Sequence, residues 1–171
     1  MIEKIELQQN LKTEYYALRD LLFVTIFWIP ASFIFILYIP SLIGFISMIA
    51  SYMVLFFIPT IYLHNNYEKY SKGKNLLIFD KIINFDEKSI SFDSIKSIKA
   101  IGTGYSLGLN YFARMTHMTG YYYLEITTIE DEKIILTSLL SKDIMKIISE
   151  KIPSIKIELN PIFYPIIKNY C

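Results

Sequence analysis

Between Leu21 and Leu63 the chain runs 43 residues without an Asp, Glu, Lys or Arg. A helix that crosses about 30 Å of hydrocarbon needs roughly 20 mostly apolar residues. The run therefore serves two passes and falls short of three. Pro40, within Tyr38-Ile-Pro-Ser-Leu42, has no amide hydrogen and disfavours helical geometry at Ile39, so it marks the break. The expected spans are Leu21–Ile39 and Leu42–Leu63, about 28 and 33 Å long at the helical rise. A secretory signal does not fit: its apolar core is shorter, and a second span follows here. A buried hairpin of a soluble protein would need more surrounding chain than is present. The reading is an integral membrane protein, with residues 1–20 before the hairpin, the hairpin over 21–63 and a domain over 64–171.

Lys4, Lys12 and Arg19 precede the hairpin, Lys69, Lys72 and Lys74 follow it, and the turn has no cation. The positive-inside rule then expects both termini in the cytoplasm. Neither span holds an ionisable residue, which argues against transport or a proton relay. Pro30 predicts a kink at the Ile26 carbonyl, near enough to Thr25 for its hydroxyl to satisfy the freed group. Gly44, Ser47 and Ser51 form a small-residue stripe that suits contact within the hairpin or with a partner helix. Tyr15, Tyr16, Tyr38 and Tyr62 suit an aromatic belt, and Trp28 falls inside the first span. The net charge of +1 and the lack of a basic face exclude ordinary nucleic-acid binding. One cysteine, Cys171, leaves no intramolecular disulfide.

After His64 the pattern becomes short alternating runs. Asn75–Phe85 reads as a strand, followed by a turn at Asp86-Glu87-Lys88 and by Ser89–Asp93, in which Ile90 and Phe92 share a face. Ile95–Ile101 continues the strands. Tyr121–Ile129 and Ile134–Thr137 form a hairpin about Glu130-Asp131-Glu132-Lys133, an acidic run best read as a solvated turn. Ile144, Ile147, Ile148 and Ile152 mark a helix face, with Ser141 as its cap and Pro153 as its stop. Ile155–Leu159 suits a last strand. Strands first and one closing amphipathic helix imply a small antiparallel α+β domain.

The order of strand, turn, Ile90-Ser-Phe-Asp-Ser-Ile-Lys-Ser-Ile98, long loop, hairpin Leu124–Leu136 and amphipathic helix resembles the bacterial pleckstrin-homology-like (PH-like) domains. The YcxB-type membrane proteins among them place a two-helix anchor and a short amphipathic N-terminus before such a domain. The resemblance covers the chain in layout and about 60 residues in pattern. Against the family pattern, the loop Gly102–Gly120 is long and no basic Ile-Pro-Lys-like step follows the last hairpin. It implies a PH-like fold and residence in a bacterial cytoplasmic membrane.

No spacing here suggests a metal site, a cofactor or a nucleophile–base pair, so the expectation is a non-enzyme without cofactors. The loop Gly102–Gly120 concentrates Tyr105, Tyr111, Phe112, Arg114 and His117, which suit contact with a protein partner, with the headgroup layer or simply with the sheet beneath. Lys69, Lys72 and Lys74 are candidates for anionic headgroups and equally serve topology alone. The hydrophobic tail Pro161–Ile167 either packs on the domain or lies on the bilayer. The expected function is a membrane-anchored adaptor for a protein, a second copy or a lipid headgroup. The alternative is a protective protein of the immunity or resistance type, acting through its hairpin.

Overall fold

The computed structural model describes residues 4–38, 42–109 and 118–168. The charge-free run folds as two helices, α1 over Leu11–Tyr38 and α2 over Leu42–Ser71. Both are long and apolar enough to cross a membrane. Each outruns its expected span: α1 begins well before Leu21, and α2 continues beyond Leu63. Their central portions leave large apolar side chains uncovered, among them Phe23, Phe27, Phe33, Leu37 and Leu42. The turn residues Ile39 and Pro40 lie outside the described residues.

The two helices meet as an antiparallel pair through aromatic and polar groups. Trp28 Nε1 donates to the Met48 carbonyl at 3.3 Å, and its ring lies 5.4 Å from that of Phe56. Trp28 is thus an interhelical residue, which explains its departure from the belt. Thr25 does not serve the Ile26 carbonyl. Its hydroxyl donates to Leu21 O at 2.7 Å and lies 2.5 Å from Tyr52 Oη on α2. Of the small-residue stripe, Gly44 and Ser51 are half-buried and Ser47 is exposed, so the seam runs mainly through Met48, Tyr52 and Phe56. Within α2, Met53–Phe57 widens into a π-turn in which the Ile58 amide reaches Met53 O. Pro59 follows directly, and the wider turn accommodates the missing donor.

Part of the amphipathic N-terminal segment is a strand of the domain. Ile5–Gln8 (β1) alternates half-buried and exposed side chains and pairs antiparallel with Asn75–Ile78 (β2). Asn10 then caps α1, its Oδ1 accepting the amides of Lys12 at 3.0 Å and Thr13 at 3.1 Å. The expected strand Asn75–Phe85 is two strands, β2 and Ile82–Phe85 (β3), joined where the Phe79 amide bonds Ile82 O at 2.9 Å. Lys88–Ser91 (β4) completes an antiparallel sheet of order β1-β2-β3-β4. Asp86 and Glu87, with φ of 49° and 68°, form the two-residue turn between β3 and β4.

Ile95–Gly102 (β5), Tyr122–Thr128 (β6), Lys133–Thr137 (β7) and Ile157–Pro161 (β8) form a second sheet of order β7-β6-β5-β8. This sheet is not wholly antiparallel, because β8 runs parallel to β5. The helix Ile144–Lys151 (α3) carries the chain across from β7, and such a crossover returns a strand in the same direction. Asp143, not Ser141, occupies the α3 cap position, and Ser141 Oγ accepts the Asp143 amide at 3.2 Å. Ile144, Ile148 and Ile152 are buried, with Ile147 partly so.

Two cores result, one on each face of the second sheet. Tyr122, Leu124, Ile126, Ile98, Ala100 and Leu136 face the first sheet and α3. Their alternate neighbours Tyr121, Tyr123, Ile101 and Ile135 face a second cluster built with Ala17 of α1 and Leu63 and Tyr67 of α2. A sheet covered on both faces reads as continuously apolar, and β6 carries Tyr-Tyr-Leu-Glu-Ile for that reason.

Candidate functional site: the junction of the helices and the sheet

Period four on each helix places a buried stripe at its domain end. On α1 it comprises Thr13, Ala17 and Leu21, and on α2 Thr60, Leu63, Tyr67 and Ser71. The α1 backbone approaches so closely that a Cβ on Gly120 would lie 2.7 Å from Ala17 Cα and 2.9 Å from Tyr16 O. Beside it, the Asp20 carboxylate accepts the Thr119 amide at 2.9 Å and the Thr119 hydroxyl. The end of the long loop is thereby clamped to α1 just before its charge-free run.

On α2, Tyr67 is fully buried with its ring edge-on to Tyr121 at 5.2 Å and to Tyr123 at 6.1 Å. Its hydroxyl donates to Pro165 O at 2.8 Å. Asn66 brackets Ile167, donating to its carbonyl at 3.1 Å and accepting its amide at 2.8 Å. Tyr164 donates to Pro59 O at 2.6 Å. The hydrophobic tail packs along α2 through Tyr164, Pro165 and Ile167, the last of them buried, while Phe163 is 81% exposed.

His64 Nδ1 lies 3.0 Å from Tyr121 Oη. Burial holds the imidazole below its ordinary pKa, against a smaller opposing pull from Glu68 and Glu14. Burial likewise raises the phenols of Tyr67 and Tyr121, and Tyr123 to about 12, with Glu125 adding to the last. At neutral pH a protonated Tyr121 phenol faces a neutral imidazole. Ser71 and Thr137 pair their hydroxyls with each other in the core. Among the described residues no His, Cys, Asp and Glu side chains gather into a metal-holding group.

Of the residues singled out from sequence, Tyr105, Lys69, Lys72 and Lys74 are among the described ones. Tyr105 is exposed, and the adjacent Leu107 is buried in the main core. Tyr111, Phe112, Arg114 and His117 lie outside the described residues, as does Cys171. Lys72 pairs with Glu68 at 2.6 Å and Lys74 with Asp86 at 2.7 Å, whereas Lys69 is exposed on α2. Lys72 stands nine residues beyond Leu63, about 13 Å along the helix axis.

Sequence reasoning passed over a groove between the start of α1 and the β7–α3 turn. Its volume is about 540 Å³, and Lys12, Tyr16, Arg19, Ser141 and Lys142 line it. Arg19 Cζ is 4.9 Å, and Lys142 Nζ 5.8 Å, from the centre of the Tyr16 ring. The signal available was faint: two cations on either side of the domain, each beside an aspartate. No family model, curated protein or solved structure matches the chain.

Proposed function

We propose that the chain is a membrane-anchored, non-enzymatic adaptor. Its two helices span a bacterial cytoplasmic membrane with both termini in the cytoplasm, and its PH-like α+β domain is held there to bind a protein or a lipid headgroup. The observation that carries this reading is the division of each long helix. The charge-free portions leave Phe23, Phe27, Phe33 and Leu42 uncovered, while the charged ends are bonded into the sheet domain. Such apolar surface is costly in water and favourable in hydrocarbon. The domain is thereby set rigidly against the plane where the charges begin. Two sheets with a late amphipathic helix packed on their shared core support the PH-like part.

Reporter fusions at residues 1, 40 and 171 test the topology: both ends should report cytoplasm and residue 40 the far side. An external C-terminus overturns the reading. The adaptor and protective readings are separated by replacing the anchor. Because Thr13–Leu21 and Thr60–Ser71 belong to the domain core, the replacement must stay within residues 22–59. Adaptor binding survives that exchange, and protection that works through the hairpin does not.

A further inference from the structure

The groove beside Tyr16 joins two cations, each of which has the neighbouring aspartate in the chain as its ion-pair partner. Arg19 comes from α1 and Lys142 from the β7–α3 turn, and one aromatic ring lies between them. Each ion pair is long and made through a single nitrogen, so the cations keep further N–H donors for a ligand. Glu6, which lines the groove, pairs with Lys4 at 3.0 Å, and Asp20 turns Oδ1 to Arg19 at 3.5 Å while its Oδ2 accepts both donors of Thr119. Asp143 stands 3.9 Å from Lys142. The Ser141 Oγ accepts the Asp143 amide, which leaves its own hydrogen to donate. A guanidinium, an ammonium and a hydroxyl around one cavity form a donor set for a phosphate.

The helix face decides where that phosphate comes from. Tyr15, Arg19, Leu22 and Ile26 follow one another at helical spacing on α1. The first two border the groove, and the next two are 47% and 66% exposed apolar side chains within the charge-free run. A diacyl lipid has the same order of parts: anionic head, then hydrocarbon. We propose that this groove holds the phosphate of an anionic phospholipid, its acyl chains lying along Leu22 and Ile26. Arg19 forks onto the phosphate oxygens, Lys142 and Ser141 close it from the domain side, and Tyr16 keeps the two cations in place. The site deepens the proposed function and rests on its reading of α1 as a membrane span.

The test uses the purified full chain in detergent, with lipid retention followed by native mass spectrometry. Dioleoyl phosphatidylglycerol is titrated against dioleoyl phosphatidylcholine and, in a separate arm, against inorganic phosphate. The wild type should retain phosphatidylglycerol about tenfold more strongly than phosphatidylcholine, and inorganic phosphate should not displace it. The R19Q/K142Q variant should lose that preference, while K69Q/K72Q keeps it. Unchanged preference in R19Q/K142Q overturns the site, as does displacement by inorganic phosphate, which would mark a soluble anion as the occupant. If the double variant loses its thermal transition, K142Q alone supplies the reading, since Lys142 is a half-exposed turn residue. Alkaline carbonate extraction of wild-type membranes separates the two failures. Release of the chain sinks the spanning reading, and retention without lipid preference sinks only the site.

Discussion

The two long helices each contain two regions that differ in what holds them. Toward Tyr38 and Leu42 their side chains are large, apolar and uncovered, and the helices meet through the rings of Trp28, Tyr52 and Phe56, the Thr25–Tyr52 hydroxyl contact and the Trp28 indole bond to Met48 O. Toward Leu11 and Ser71 the same helices carry charges on one side and a buried stripe on the other. On the proposed reading, the first region lies in hydrocarbon. The second needs the sheet. On that reading one helix is both anchor and core element, and no linker separates the two roles, because α2 runs unbroken from Leu42 to Ser71.

The contrast is broken most forcefully at Tyr67. Its truncation in Y67A removes a fully buried ring from the second core, and should cost about 3–5 kcal/mol in denaturant unfolding of the detergent-solubilised chain. Phe33, 66% exposed, should cost less than about 0.5 kcal/mol when truncated in the same assay. Equal losses at the two sites would mean that the helices are not divided in this way. Next in size is G120V. Its side chain collides with the α1 backbone at Ala17, so it should destabilise by about 1–3 kcal/mol and speed amide exchange at Thr119.

Acid provides a gentler lever on the junction. Burial depresses the His64 pKa below 6.5, so the unfolded chain binds the proton more readily than the folded one. The imidazole's contribution is therefore fully present above pH 6.5 and falls away as pH drops through the window below it. Comparing wild type with H64Q between pH 7 and pH 5 should show a steeper loss of thermal stability in the wild type; parallel curves would remove His64 from the junction's pH response. At the bottom of the scale, K72A should leave the melting temperature unchanged, because the Lys72–Glu68 pair is exposed to solvent. A measurable shift there would extend the junction further down α2 than its buried stripe indicates.

Much of the fold was legible because its signals are local. The charge-free run, the β6–β7 hairpin and the isoleucine face of α3 are all periodicities readable within a dozen residues. Two of the misreadings depended on a distant partner and one on a local reversal without a turn signature. Ile5–Gln8 looked like part of an amphipathic lead-in until β2 supplied its pairing edge. Asn75–Phe85 looked like one strand because nothing local announces the reversal at Phe79–Lys81. The end of α2 was drawn at Leu63 because apolar character fades there, yet helix formation continues through Tyr67 and Ser71, where the sheet covers one stripe and solvent the other. The Arg19–Tyr16–Lys142 arrangement has only a faint sequence signature, since Lys142 is brought to Tyr16 and Arg19 by the packing of α1 against the β7–α3 turn.

By itself the sequence determined that two apolar helices precede a small domain of strands with a late amphipathic helix. Uninterrupted hydrophobicity and regular alternation express their consequences through neighbours in the chain. Only the tertiary structure decided that the strands divide into two sheets, that β8 runs parallel beside β5, and that the helix ends fill the second face of that sheet. Those outcomes depend on which surfaces remain uncovered once the local elements exist, and that is a property of the assembled molecule.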